Sequence, residues 1–432
     1  MINIKRRWSG VIVTVAIVGL LGANMVSAQG ATKVAKLTGT ITVTSNHKHA
    51  MLVAAAFMKR YPGIKVKVQV ITDATALQQQ IRTQLTSGTA PDVFTVWPGN
   101  GSPLATTVLN KAGNFLEDLK SGPWAKERSR QWVKKMPANF IAGGSYEGRY
   151  TTAIYGGHGI GAIYDKTTLD ADGLTAPTTW TQLLSFCRAA VGKGKVAFAL
   201  ANQEQWITQL INYALVPSLV YSKDKNFDAK MAAGTASFGT SGWKTAFTKY
   251  MEMNTSGCFN KDPLSLNYAG SQALVATHGA YGLINGDWAV VDIQKQVPND
   301  KFILLQLPAT DNPADQWMAI AAGAGLGINA KSKNLALANA FLDFYMSPAG
   351  LRIVAPIDGG IPPFKVRGLK LSPILGEVQK YMAANKGTAF MDQNWPNAKV
   401  QSEHLVGIQD IFAGKATIAE VLAKMDAAYK QG

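Results

Sequence analysis

From Gly39 onward the chain switches regularly between two hydrophobic periods. Ile41 and Val43 alternate with Thr40, Thr42 and Thr44, the every-second-residue pattern of a half-buried strand. Val53, Phe57 and Tyr61 then recur at helical spacing, and Pro62-Gly63 ends that helix. Ile64, Val66, Val68 and Val70 alternate with Lys65, Lys67 and Gln69 as a second strand. Leu77, Ile81 and Leu85 make a second helical stripe closed by Gly88, and Val93-Phe94-Thr95-Val96 reads as a third, fully apolar strand. Strand–helix–strand–helix–strand predicts an α/β fold with a parallel sheet and helices on both faces. Ligands of such sheets bind beyond the carboxyl ends of the strands.

A second alternating block follows a glycine-rich stretch, TTAIYGGHGIGA at 151–162. Thr179-Trp180 begins a helix through Leu183, Leu184 and Cys187, and Val196–Leu200 reads as a strand. A second glycine-rich stretch, AIAAGAGLGI, occupies 319–328. Two such stretches suggest a chain that passes more than once between domains, because glycine lets backbone and ligand approach closely. The last helix is marked by a capping box, Thr417 with Glu420, before the stripe Ile418, Val421, Leu422, Met425 and Tyr429.

The polar punctuation falls at strand ends. The first strand delivers Asn46, His47 and His49, and the third delivers Trp97. Val196–Leu200 leads into Gln203, Gln205 and Trp206, and the run GLINGDWAV at 282–290 sets Asp287 beside Trp288. His47 and His49 share one side of an extended chain, but no third ligand lies near them, so they read as a polar cleft rim and no metal is expected. A carboxylate or amide beside a flat aromatic ring suits a sugar, whose hydroxyls need hydrogen-bond partners and whose C–H faces stack on rings.

Length and charge narrow the class. A chain of 432 residues is too long for one ordinary core. Lys5, Arg6 and Arg7, the apolar run Val11–Ala23 and the small residues Val26-Ser27-Ala28 have the order of a secretory signal over residues 1–28. No Cys stands near that cut, so a lipoprotein anchor is not expected, and the mature chain would be exported and soluble. The formal charge of +16 comes as much from scarce Asp and Glu as from abundant Lys and Arg. The basic residues are scattered, which does not suggest a nucleic-acid partner. Cys187 and Cys258 are left open between a disulfide and two core thiols. No serine-hydrolase elbow, zinc-protease helix or redox Cys-x-x-Cys occurs, so no catalytic residue and no cofactor is assigned.

Several segments, in order, resemble the bacterial extracellular solute-binding proteins of the carbohydrate-uptake type, the receptors of ABC importers. They are FMKRYPGIKV at 57–66, SGTAPDVFTVWPGNG at 87–101, YGGHGIGAIYDKTTLDADGLTAPTTW at 155–180, ALVATHGAYGLINGDWAV at 273–290, GINAKSKNLALANAFLDFYMSPAG at 327–350 and DGGIPPFK at 358–365. Asp165 stands where that pattern usually has Asn. The resemblance implies two α/β lobes, each with a mostly parallel sheet, joined by three hinge crossings with the solute between them. Residues 36–156 and 325–368 would form one lobe, and 157–324 and 369–432 the other. It places Tyr155 and His158 at the first crossing and Asn394 and Trp395 on a late loop reaching the cleft. Its implied partners are a small carbohydrate and a membrane permease with its ATPase, contacted by a monomer. Asp92, Trp124, Trp180 and Trp243 read as structural. Two alternatives stay open: a receptor for an anionic solute, for which Arg82, Arg128, Arg149 and Arg188 are dispersed, and a secreted carbohydrate-active enzyme using Glu204 and Asp287 across a cleft.

Overall fold

The computed structural model describes residues 37–431; the signal expected over 1–28 lies outside them. The chain folds into two α/β lobes, each built on its own five-stranded sheet. In the first, the order is Ile64–Val70, Gly39–Ser45, Val93–Val96, Gly325–Ile328 and Ala153–Ile154. The first three strands are parallel, with Val43 beside both Val68 and Val93. Helices His49–Arg60 and Leu335–Tyr345 cover one face through Val53, Phe57, Leu337 and Phe341. Helices Ala74–Ser87 and Thr106–Gly113 cover the other through Leu77, Ile81, Leu85 and Leu109. Asp92 ties strand Gly39–Ser45 to the loop after Gly325–Ile328. Its carboxylate accepts from the Thr42 N–H at 2.7 Å and from the Ser332 hydroxyl at 2.5 Å, the structural role read from the sequence.

The second sheet is organised around one long strand, Gly157–Asp165, buried along its whole length. Gly282–Gly286, Phe302–Leu305 and Met318–Ala322 all pair with it antiparallel, and only Gly387–Thr388 joins in parallel, beside Met318–Ala322. Gly282–Gly286, Phe302–Leu305, Met318–Ala322 and Gly387–Thr388 thus all run in one direction and Gly157–Asp165 alone runs against them, so the sheet is mostly parallel in strand direction, as expected. The reason is directional. A strand that leaves the hinge must run away from the cleft, whereas a strand that delivers residues to the cleft runs toward it. For the same reason Gly325–Ile328 is antiparallel to its neighbours in the first sheet.

Side chains from the two faces of Gly157–Asp165 enter separate cores. Ile160, Ala162 and Tyr164 meet helices Trp180–Gly192, Leu210–Val216, Gly242–Thr255, Ala398–Phe412 and Ile418–Tyr429. Ile163 meets Ala289–Gln296 and Gly376–Ala383. Trp180 and Trp243 are buried in the first of these cores, as packing residues. Thr179 caps the helix begun at Trp180, and the Thr417–Glu420 capping box is formed. Val196–Leu200 is extended but is not a strand: it makes single bridges from Val196 to Ala280 and from Phe198 to Phe259. Its N–H groups are divided between Gly279, Cys258 and Gly282, so no continuous ladder forms. Cys187 and Cys258 are joined as a disulfide. Among the described residues, no helix is long and apolar enough to cross a membrane.

Candidate functional site

Where the two sheets meet, a histidine sits between two carboxylates. His158, the second residue of the long crossing strand, places Nδ1 2.6 Å from Asp287 and Nε2 3.2 Å from Asp358. Asp287 follows strand Gly282–Gly286 in the second lobe, and Asp358 ends helix Pro348–Asp358, which packs in the first. The other Asp287 oxygen accepts the Gly159 N–H at 2.9 Å. Burial lowers the His158 pKa, but the charges of Asp358 and Asp287 outweigh it and raise the value to about 10, so the ring is cationic at neutral pH. Asp358 is likewise disfavoured by burial and favoured more strongly by His158, ending at about 2. Burial dominates at Asp287 and raises its pKa.

The glycine-rich stretches explain themselves here. A side chain at Gly323 would strike the His158 ring at 2.5 Å, and one at Gly360 would meet it at 2.4 Å. Backbone from three crossings closes around one imidazole, which requires residues without a Cβ.

Beyond His158 the aromatic residues continue. The His158 and Trp288 rings meet edge to face at 5.1 Å, and Trp206 meets Tyr268 in the same manner at 5.0 Å. Tyr268 and Trp288 pack against the same two cores, and all three rings are only partly buried. Glu204 fixes this end of the row. One carboxylate oxygen accepts the Trp206 indole N–H at 2.9 Å, and the other accepts the Tyr268 backbone N–H at 2.8 Å. The Trp288 indole folds back over Gly286, so closely that a Cβ there would lie 1.9 Å from the ring. Gly286→Ala is therefore expected to evict the indole from this position. The check is Trp288 fluorescence: a changed emission maximum in a folded variant is expected, and an unchanged spectrum would contradict the packing described.

The other candidates divide. Asn46, His47 and Trp97 are partly exposed on the first lobe, and Gln203 and Gln205 are exposed on the second. His49, Tyr155, Asp287 and Trp395 are each 2% exposed or less, and the structure gives them other roles than open ligand contact. His49 and Tyr155 pack ring to ring at 5.0 Å beneath His47, and the Tyr345 hydroxyl lies 2.5 Å from His49 Nδ1. Asp287 positions His158. Trp395 is a core residue, packed against Trp243, Phe238 and His404. Its loop does reach the other lobe, but by backbone: the Asn100 side-chain amide donates to the Trp395 carbonyl at 3.0 Å. Asn394 is exposed, with its amide bonded to Asp228 at 2.8 Å. Sequence reasoning missed Tyr268 and Asp358; the latter opens the quoted DGGIPPFK, but nothing in its spacing distinguishes it from a turn residue.

Asp392 lies in the same interlobe contact, against Gly101, and accepts from the Tyr213 hydroxyl at 2.8 Å. Burial raises its pKa to about 6. The folded state thus binds the proton more tightly than the unfolded chain, whose value is near ~3.9. The associated stability is present in full below that value and is lost as pH rises through about 6. Asp392→Asn is expected to remove this dependence and to gain about 1–2 kcal/mol at neutral pH, allowing for the group's partial exposure. Urea midpoints measured across that pH range check it; parallel profiles for the two proteins would contradict it. A cavity of about 460 Å³ also lies at the hinge, lined in part by Asp287, Val291, Gln294, Gly359 and Leu371. It includes none of the partly exposed rings and is a separate feature.

Comparison with known proteins agrees with this architecture. Residues 47–351 match the bacterial extracellular solute-binding protein family. A multiple sugar-binding protein of Streptococcus mutans is 25% identical over 357 residues, covering 78% of this chain and 77% of its own. Among solved structures, one from a study of xylan utilization by Caldanaerobius polysaccharolyticus superposes with a TM-score of 0.77 at 17% identity, covering 90% of this chain and all of that one. A sugar transporter of Bacillus licheniformis in complex with stachyose gives 0.73 at 18% identity, covering 91% of this chain and all of that one. These two likenesses concern the fold. The match across most of the described residues shows that the chain belongs to the bacterial extracellular solute-binding proteins.

Proposed function

We propose that this protein is an extracytoplasmic receptor that holds a neutral mono- or oligosaccharide between its lobes and presents it to the permease and ATPase of an ABC importer. The observation that carries the reading is the row Trp206, Tyr268 and Trp288, partly exposed rings fixed at one end by Glu204 and at the other by His158. Such rings offer stacking faces for sugar C–H groups, while Asn46, His47, Gln203 and Gln205 supply polar edges. The names of the relatives point the same way: one is a multiple sugar-binding protein and one was solved with stachyose. The lobes would be 36–156 with 325–368, and 157–324 with 369–432, closing as a monomer about the crossings near His158.

Neither alternative gains an observation. Arg128 is buried in an ion pair with Asp343 at 2.7 Å, and Arg149 is occupied by Asn110 and the Leu116 carbonyl, so neither is free to take an anionic solute. Of the acid pair an enzyme would use, Asp287 is held by His158 and Glu204 by Trp206 and Tyr268.

The test is a thermal-shift screen of the mature chain against neutral sugars, uronates and sugar phosphates. A ligand present at about 100 times its Kd stabilises the folded state by about 2.7 kcal/mol. Shifts with neutral oligosaccharides are expected. Shifts confined to acidic ligands would replace the sugar by an anion, and hydrolysis of an added oligosaccharide would replace the receptor by an enzyme.

A further inference from the structure

We propose that His47, His49 and Asp358 form a binding site for a divalent metal ion of the zinc class. The sequence sets the two histidines together without a third ligand; the fold brings one from the far end of the chain. His47 lies on the loop after the first strand, His49 begins helix His49–Arg60, and Asp358 closes helix Pro348–Asp358. One ligand atom from each lies within 4.8 Å of the other two. The two rings are stacked nearly parallel, with centroids 5.0 Å apart.

Two of the three groups are buried with unused atoms. His49 Nε2 and Asp358 Oδ1 have no hydrogen-bond partner and face each other at 3.9 Å. Buried polar atoms are almost always bonded, so two orphans pointing at each other need an occupant. Two ligands at ~2.0–2.1 Å from one tetrahedral ion stand roughly 3.4 Å apart, so a small inward movement would suffice.

The donor chemistry selects the ion. Two imidazoles and one carboxylate suit zinc and its neighbours, whereas calcium and magnesium prefer all-oxygen sets.

The surroundings are those of supported ligands. The Tyr345 hydroxyl at His49 Nδ1 leaves Nε2 to point at the carboxylate, and His158 holds the second Asp358 oxygen with Asp287 behind it. The second possible group among the described residues, Asp165, His278 and Asp300, is weaker: His278 is largely exposed and is already engaged with Thr168 and Asp165. This site does not depend on the sugar reading.

The experiment uses the mature chain without a histidine tag, stripped with a chelator and titrated with Co2+, then with Zn2+ in competition. One equivalent of cobalt should bind with the visible absorption bands of a four-coordinate ion, and zinc should displace it. His47→Gln, on a partly exposed loop, should keep the circular dichroism of the parent and weaken binding by at least about 100-fold. His278→Gln should bind as the parent does. Absence of saturable binding by either ion would overturn the proposal, as would binding that survives His47→Gln or is lost in His278→Gln. Sugar-induced thermal shifts measured on the stripped chain report the receptor reading separately.

Discussion

Replacing His158 with alanine is expected to destabilise the folded chain by about 3–5 kcal/mol, the usual cost of removing one partner from a buried ion pair. The reason is not the lost attraction alone. Asp287 and Asp358 are both buried, and His158 is the cation that compensates them. Without it, two carboxylates from opposite lobes are left without that cation, and the three backbone crossings lose the ring they enclose. The measurement is the urea midpoint of His158→Ala at neutral pH, on protein stripped of metal with a chelator. Adding Asp287→Asn and Asp358→Asn to that variant should restore part of the loss, because it removes the charges left behind. A loss below about 1 kcal/mol would mean that water or a counter-ion already serves these carboxylates, contrary to the burial described.

Breaking the disulfide has an effect of similar size by a different route. Cys187 and Cys258 are 71 residues apart in sequence and buried in the second lobe. Closing a loop of that length restricts the unfolded chain, which on the chain-entropy account is worth about 4 kcal/mol. The bond joins helix Trp180–Gly192 to the segment after helix Gly242–Thr255, so its loss should loosen the second lobe and leave the first unchanged. Replacing both cysteines with alanine and comparing urea midpoints and amide exchange checks this. A change below about 1 kcal/mol, or exchange that rises equally in both lobes, would contradict it.

The parts of the fold that are legible in the sequence are those in which one periodicity runs uninterrupted. Ile64 to Val70 alternates valine and isoleucine with lysine and glutamine, and the strand lies at a sheet edge with every second residue outward. The Thr417–Glu420 box is legible because capping is local chemistry. Strand direction is not local. Gly157–Asp165 is buried along its length, so its apolar run is equally consistent with parallel or antiparallel partners. Val196–Leu200 has the composition of a strand, but its hydrogen bonds are shared among three neighbours.

The site divides in the same manner. Trp288 and Trp206 stand out as aromatic residues beside polar ones where apolar runs end, and both are partly exposed. Trp395 has the same local signature, Gln393-Asn394-Trp395, yet is buried against Trp243. Its neighbours in space come from distant helices, which no short window contains. Asp287 carries the opposite lesson: an acid beside a tryptophan suits a sugar, but His158, far away in sequence, claims it first.

The central claim is that a sugar is held by the aromatic row between the lobes. Its most direct test is a titration of the protein with neutral oligosaccharides, following intrinsic tryptophan fluorescence, beside the same titration of Trp288→Ala. Saturable quenching or enhancement is expected in the parent. The variant should remain folded and lose about 2 kcal/mol or more of binding free energy, as removal of a central aromatic contact commonly does. Equal affinity in the two proteins, or no saturable change with any neutral sugar, would contradict the account.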